Sequence, residues 1–164
     1  MSHISYMKKI RIMEDERLLL SRFVKSSLSL RGITSLVGMN IDSPDIFLLS
    51  PDAPTIMTAP AGRIRCGAAV LPGSRAARAS QLVSTDLIVT YGMSGRDTVT
   101  LSSSQEEVVV AVQRELVDDA GVCVLPQEIP VKGADRYAPE FILASSALLM
   151  LSGLPPSEIG DIFS

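Results

Sequence analysis

A chain of 164 residues fits one domain and leaves no room for a comfortable second. Fifteen basic against eighteen acidic residues, a net charge of −3, exclude nucleic-acid binding driven by bulk charge. The single histidine, His3, excludes a His-dependent triad or a multi-His metal site in the body of the chain. Hydrophobic residues make up 46% and aromatic ones only 4%, so aliphatic packing must carry the core.

Residues 1–6 read as a flexible leader, polar and basic, without the apolar run of a secretory signal. Residues 7–13 (MKKIRIM) alternate as a short strand. Glu14, Asp15 and Glu16 then stand where acidic side chains favour a helix start, and Leu18, Leu19, Phe23, Val24 and Leu28 recur near helical spacing. The pattern predicts an amphipathic helix over 15–30, ended by Gly32. Residues 45–50 (DIFLLS) are a buried strand between Pro44 and Pro51, followed by a proline-rich loop over 51–62 with room for a short strand at 55–58. Residues 65–71 (RCGAAVL) form another apolar strand. Ser74 is placed to cap a helix over 75–83, and 86–91 (DLIVTY) is the next strand. This is the strand–helix–strand order of a parallel sheet packed on helices.

After Gly92 the pattern changes. Residues 98–102, 108–116 and 122–131 are rich in β-branched side chains and are separated by turns at 103–105 and 118–121, the pattern of an antiparallel meander. The meander is rich in the run Val108 to Val112, and its exposed edge needs covering. Arg114 and Glu128 are placed to meet as a cross-strand pair. Residues 138–151 form a helix, stopped at Gly153, and Pro155-Pro-Ser-Glu158 starts a last helical turn. The most apolar stretch, 141–154, is shorter than the roughly 20 residues of a membrane span, so no membrane partner and a cytoplasmic location are expected. Cys66 and Cys123, each among apolar neighbours, read as small buried hydrophobes.

Two glycine-bearing loops could carry chemistry. In Leu71-Pro-Gly-Ser-Arg-Ala-Ala-Arg78 a strand ends, Gly73 admits close backbone approach, and Ser74, Arg75 and Arg78 open a helix. The stretch lacks the lysine and spacing of a P-loop and the GxGxxG of a dinucleotide fold, and it looks like nearly every strand–helix turn of such folds. Tyr91-Gly-Met-Ser-Gly-Arg-Asp97 follows the next strand, so Gly92, Ser94 and Arg96 could share a crevice with the first loop. It also reads as a plain connection into the meander. A carboxylate pair of Glu115 and Glu128 has no visible environment to raise a pKa, Ser102 has no neighbouring base, and Asp118-Asp119 is simplest as solvated turn chemistry.

The segment order from Leu71 onward resembles the later half of the central, ATP-using domain of the Mur ligases. Leu71 to Ser80, Asp86-Leu-Ile-Val-Thr-Tyr-Gly-Met-Ser94 and, most specifically, Tyr137 to Ile159 with its Gly153-Leu-Pro-Pro-Ser-Glu-Ile159 end carry the resemblance. Tyr137 and Ala138 stand where that family has His-Asn, and Phe141 where it has a second Asn, positions that serve nucleotide binding there. The family's phosphate loop and C-terminal amino-acid-binding domain have no counterpart, so the resemblance implies a noncatalytic remnant.

Together these readings predict a single α/β domain over 1–164: a small, mainly parallel sheet with flanking helices, an antiparallel meander and a C-terminal helix. The expected role is noncatalytic binding of a small molecule or a protein, linked to cell-envelope metabolism by resemblance alone, with no cofactor, metal or nucleic acid. Two alternatives stay open: a nucleotide- or nucleotide-sugar-binding enzyme using Gly73, Ser74, Arg75, Arg78, Gly92, Ser94 and Arg96, and a homo-oligomeric assembly module.

Overall fold

The computed structural model describes residues 7–54, 62–102, 107–117 and 121–164. In chain order the elements are β1 (Lys8–Met13), α1 (Leu19–Leu30), β2 (Ser35–Gly38), β3 (Ile46–Leu49), β4 (Ile64–Arg65), β5 (Ala68–Pro72), α2 (Ala76–Ala79) and β6 (Val83–Ser84). There follow β7 (Ile88–Tyr91), β8 (Val99–Ser102), β9 (Val108–Val112), β10 (Leu116–Val117), β11 (Cys123–Val124), β12 (Gln127–Val131), α3 (Pro139–Leu151) and α4 (Pro156–Ile159). One eight-stranded sheet has the order β12-β9-β8-β7-β5-β3-β1-β2. Pairing is parallel from β2 to β8, and antiparallel for β8–β9 and β9–β12. The α/β architecture with a mostly parallel sheet, a closing meander and a C-terminal helix is the one the sequence predicts.

Strand β3 shows why the parallel strands are continuous apolar runs. Ile46 and Leu48 face one core, with Ile10, Ile12, Val70 and Val89, under α1 and α3. Phe47 and Leu49 face a second core with Leu71, Ala79 and Leu82. Both faces are covered, so both alternations must be apolar. The meander joins this parallel part through a single register pair, Tyr91 with Val99.

Helix α3 spans that joint. Residues Ile142 to Leu151 are all buried, and the helix packs on β3, β5, β7 and β8 as well as on α1 and α4. The β10–β11 hairpin adds Leu116 and Val124 to the same core. A helix surrounded in this way needs apolar residues all round. Its buried serines turn inward: the Ser145 hydroxyl donates to Phe141 O (2.6 Å), and the Ser152 hydroxyl to Leu148 O (2.8 Å). Ser146 Oγ, fully buried, has no hydrogen-bond partner. Gly153, at φ 109°, ends the helix in a conformation that suits glycine.

Several expectations are corrected. Helix α1 starts at Leu19 rather than 15, because Leu18 adopts a left-handed conformation (φ 57°) and residues 15–18 form a turn. Strand β2 was not anticipated, since only Leu36 and Val37 in it are strongly apolar and as an edge it pairs on one side only. The strand expected over 65–71 breaks at Cys66-Gly67 into β4 and β5. The helix expected over 75–83 is a short α2 between two 3₁₀ turns, and Ser74 makes no side-chain cap because it lies inside the first of them. The meander's exposed edge is β12, and Val108 to Val112 lies inside the sheet as β9, between β8 and β12. Arg114 does not meet Glu128, since Glu128 registers with Ala111 and accepts from the Ser102 hydroxyl at 3.2 Å. Neither cysteine is fully buried; Cys66 is half-buried and Cys123 exposed. The expected leader at 1–6, the strand at 55–58, the turn at 103–105 and Asp118-Asp119 lie outside the described residues.

Two substitutions in α3 should move stability in opposite directions. Leu148→Ala should cost about 2–5 kcal/mol in chemical denaturation, because it empties a fully enclosed site. Ser146→Ala should raise stability by about 1 kcal/mol, because it removes a buried hydroxyl that bonds to nothing.

Candidate functional site

The chain runs from β1 out to β2 and then returns past β1 to β3, so the winding reverses between β1 and β3. In open α/β sheets such a reversal leaves a crevice beyond the carboxyl ends of the two strands. Here a cavity of about 620 Å³ opens at that place. Glu14 follows β1, and Ser50, Pro51 and Asp52 follow β3. Leu19, Leu20 and Phe23 come from the first half of α1, while Tyr137, Ala138, Glu140 and Phe141 come from the start of α3.

The aromatic wall is built from a scarce resource. The chain has four Phe and three Tyr. Tyr137 and Phe141 stack at 5.3 Å and 10°, Phe23 meets Phe141 edge-on at 5.3 Å, and Phe23 stacks on Phe163 at 5.2 Å. Such pairs contribute about 0.5–1.5 kcal/mol each beyond their buried area. The wall is therefore held by ring packing before anything binds.

Three acidic side chains around the crevice, Glu14, Asp15 and Asp52, are tied to the scaffold. Glu14, 4% exposed, accepts from the N–H groups of Leu20 and Ser21, both at 2.9 Å, and from the Ser21 hydroxyl. It caps α1 from across the Asp15–Leu18 turn, filling the positive end of the helix. Asp15 instead holds Arg17 through two guanidinium bonds at 2.9 and 2.7 Å, which keep its carboxyl below the usual range. Asp52 accepts from the buried Ser50 hydroxyl and lies 3.7 Å from Arg17. Behind the crevice the Tyr91 hydroxyl donates to Leu49 O at 2.6 Å; burial pushes this phenol well above its ordinary value, with the charge of Asp52 acting in the same direction.

The two glycine loops singled out in the sequence do come together, at the carboxyl ends of β5 and β7, but the space between them is filled. The Asp97 carboxylate, 5% exposed, lies so close that a Cβ on Gly73 would overlap it and one on Gly92 would sit 2.6 Å from it. Asp97 also accepts from Ser94 N–H at 3.1 Å, and Gln113 fastens the loop by donating to Asp97 O at 2.7 Å. Arg75 donates to Ala53 O at 3.3 Å, toward the crevice side. Ser74, Arg78, Ser94 and Arg96 are exposed. Glu115 and Glu128 are not brought together, since Glu115 accepts from Cys123 Sγ at 3.2 Å and Glu128 from Ser102.

A larger groove, about 810 Å³, lies at the amino ends of β3, β5 and β7, lined by Asp45, Arg63, Arg65, Cys66 and Asp86. Asp45 serves the backbone there, accepting from Lys9 N–H at 2.8 Å. Burial pushes the Cys66 thiol up to about 11, against the opposing pull of its bond with Thr85, so it is no nucleophile near neutrality. Among the described residues no group of three His, Cys, Asp or Glu side chains is arranged to hold a metal ion, and no helix is long and apolar enough to cross a membrane.

The crevice was only partly legible in advance. Tyr137, Ala138 and Phe141 stand out in the sequence only as departures from the family's nucleotide-binding residues, not as site candidates, and Phe23, Asp52 and the reach of Glu14 carry no signal there. The scarcity of aromatic residues was the available signal, because rings in so aliphatic a chain are noticeable wherever they gather.

Glu14→Ala should cost about 1–2 kcal/mol, with a smaller loss for Glu14→Gln, measured by urea denaturation. For Cys66 the folded value lies above the unfolded 9.0, so its contribution is intact below pH 9 and is lost as pH rises toward about 11. Between those limits the parent chain should lose stability faster than Cys66→Ala; equal slopes would contradict the burial of the thiol.

No family model, no curated protein and no solved structure matches the chain.

Proposed function

We propose that this protein is a noncatalytic α/β domain that binds a small ligand in the β1–β3 crevice. The observation that carries the reading is the placement of a preassembled aromatic wall at the strand-order reversal, where ligands of such sheets gather. The noncatalytic part is supported by what the polar groups already do. Glu14 caps α1, Asp15 holds Arg17, and Ser50 donates to Asp52. The two hydroxyls beside carboxylates, Ser21 and Ser50, are thereby engaged in holding α1 and the turn after β3. A Mur-ligase-like origin, with a regulatory role in cell-envelope metabolism, belongs to the same proposal: Tyr137, Ala138 and Phe141, which replace the nucleotide-handling His-Asn and second Asn of that family, line this crevice.

Asp97 counts against the alternative in which a nucleotide lies between the 72–75 and 92–96 loops, because its carboxylate occupies the gap. A second reading, a homodimer joined through the open edge of β2, rests on Leu36, 48% exposed on that outermost strand. Light scattering decides it, since a monomer across micromolar concentrations removes it.

A ligand-observed NMR screen with planar aromatic fragments tests the crevice. Fragments that bind the parent chain should lose at least about tenfold in affinity on Tyr137→Ala, which takes away half of the Tyr137–Phe141 stack. If all hits bind that variant undiminished, the crevice is not the site.

A further inference from the structure

We propose that the crevice selects a planar aromatic molecule that carries no phosphate, because the chain's own carboxylates occupy the positions where this kind of sheet holds one. The inference rests on the crevice being the binding site and adds the chemical class of its ligand.

A nucleotide bound at a strand-order reversal places its phosphate on backbone N–H groups, at the start of the helix that follows β1 or in a neighbouring strand–helix turn. In this chain both places are taken. At the start of α1 the N–H groups of Leu20 and Ser21 point to Glu14, each at 2.9 Å, and the Ser21 hydroxyl points there too. Glu14 is 4% exposed, so an incoming anion would have to expel it. At the turn after β5, the Asp97 carboxylate fills the gap between Gly73 and Gly92.

Helix α3 also begins at the crevice. Its first residue is Pro139, which has no N–H to offer, and Glu140 brings a negative charge into the same turn. The cations of the lining do not reverse the balance. Arg17 is paired with Asp15 at 2.7 Å and lies 3.7 Å from Asp52, which leaves Arg136 at the rim against Glu14, Asp52 and Glu140. A phosphate dianion entering here meets like charge, while the faces of Tyr137 and Phe141 suit a neutral or cationic ring.

The test compares two probes with one aromatic body, 2-naphthol and 2-naphthyl phosphate, by amide chemical-shift titration of the parent chain and of Glu14→Gln. The parent should bind 2-naphthol at least about tenfold more tightly than its phosphate ester, with shifts at Phe23, Ala138 and Phe141. In Glu14→Gln, which keeps the side-chain shape, the gap should narrow to about threefold or less. Equal or tighter binding of the ester by the parent overturns the inference and leaves the crevice as the site. A gap unchanged in Glu14→Gln overturns the role given to Glu14. If neither probe shifts the crevice residues, the crevice itself fails as an aromatic site, and this inference with it.

Discussion

The burial of α3 is the constraint on which the rest depends. The sheet is two pieces, a parallel part and an antiparallel meander, that share a single register pair. Backbone pairing alone would leave them weakly joined. Helix α3 lies across β3, β5, β7 and β8 and is closed from behind by α1, α4 and the β10–β11 hairpin, so one apolar rod is common to both pieces. Hydrophobic burial is proportional to area and indifferent to direction, which suits it to bridging parts whose hydrogen-bond ladders scarcely meet. The same rod places Tyr137, Ala138 and Phe141 at the β1–β3 crevice, because the helix that locks the sheet begins there.

A second theme is the use of carboxylates as internal anchors. Glu14 caps α1, Asp97 ties the loop after β7, and Asp45 accepts from Lys9 N–H at the opposite end of the sheet. Each satisfies backbone donors that would otherwise need water or a ligand. In a fold whose strand ends commonly hold bound anions, such filling makes the scaffold self-sufficient. It also leaves ring packing, rather than phosphate capture, as the basis of recognition at the crevice.

Much of the architecture was legible because parallel strands covered on both faces must be continuous apolar runs, as in Ile46–Leu49 and Ala68–Pro72. The hairpin between β10 and β11 was legible through its turn chemistry, and α3 through its length and its glycine stop. Strand β2 was not, because an edge strand paired on one side shows too little apolar pattern. The start of α1 was misplaced for a different reason: Glu14 reaches its donors from outside the helix, around a left-handed Leu18, and no local rule of spacing predicts that path. The pairing of Arg114 with Glu128 failed because register is fixed across strands, where Glu128 falls opposite Ala111.

By itself the sequence determined the class of fold, the aliphatic nature of the core and the absence of histidine chemistry from the body of the chain. These follow from composition and from periodicities that act over a few residues, where the physics is local. Only the tertiary structure decided the site. Phe23 and Tyr137 are far apart in the chain and meet because α1 and α3 pack on one face of the sheet, their rings 5.8 Å apart. Gly73 and Asp97 meet because β5 and β7 are parallel neighbours whose carboxyl ends lie side by side. Whether a glycine turn cradles an outside anion or an inside carboxylate depends on which distant side chain arrives there, and that is settled by packing.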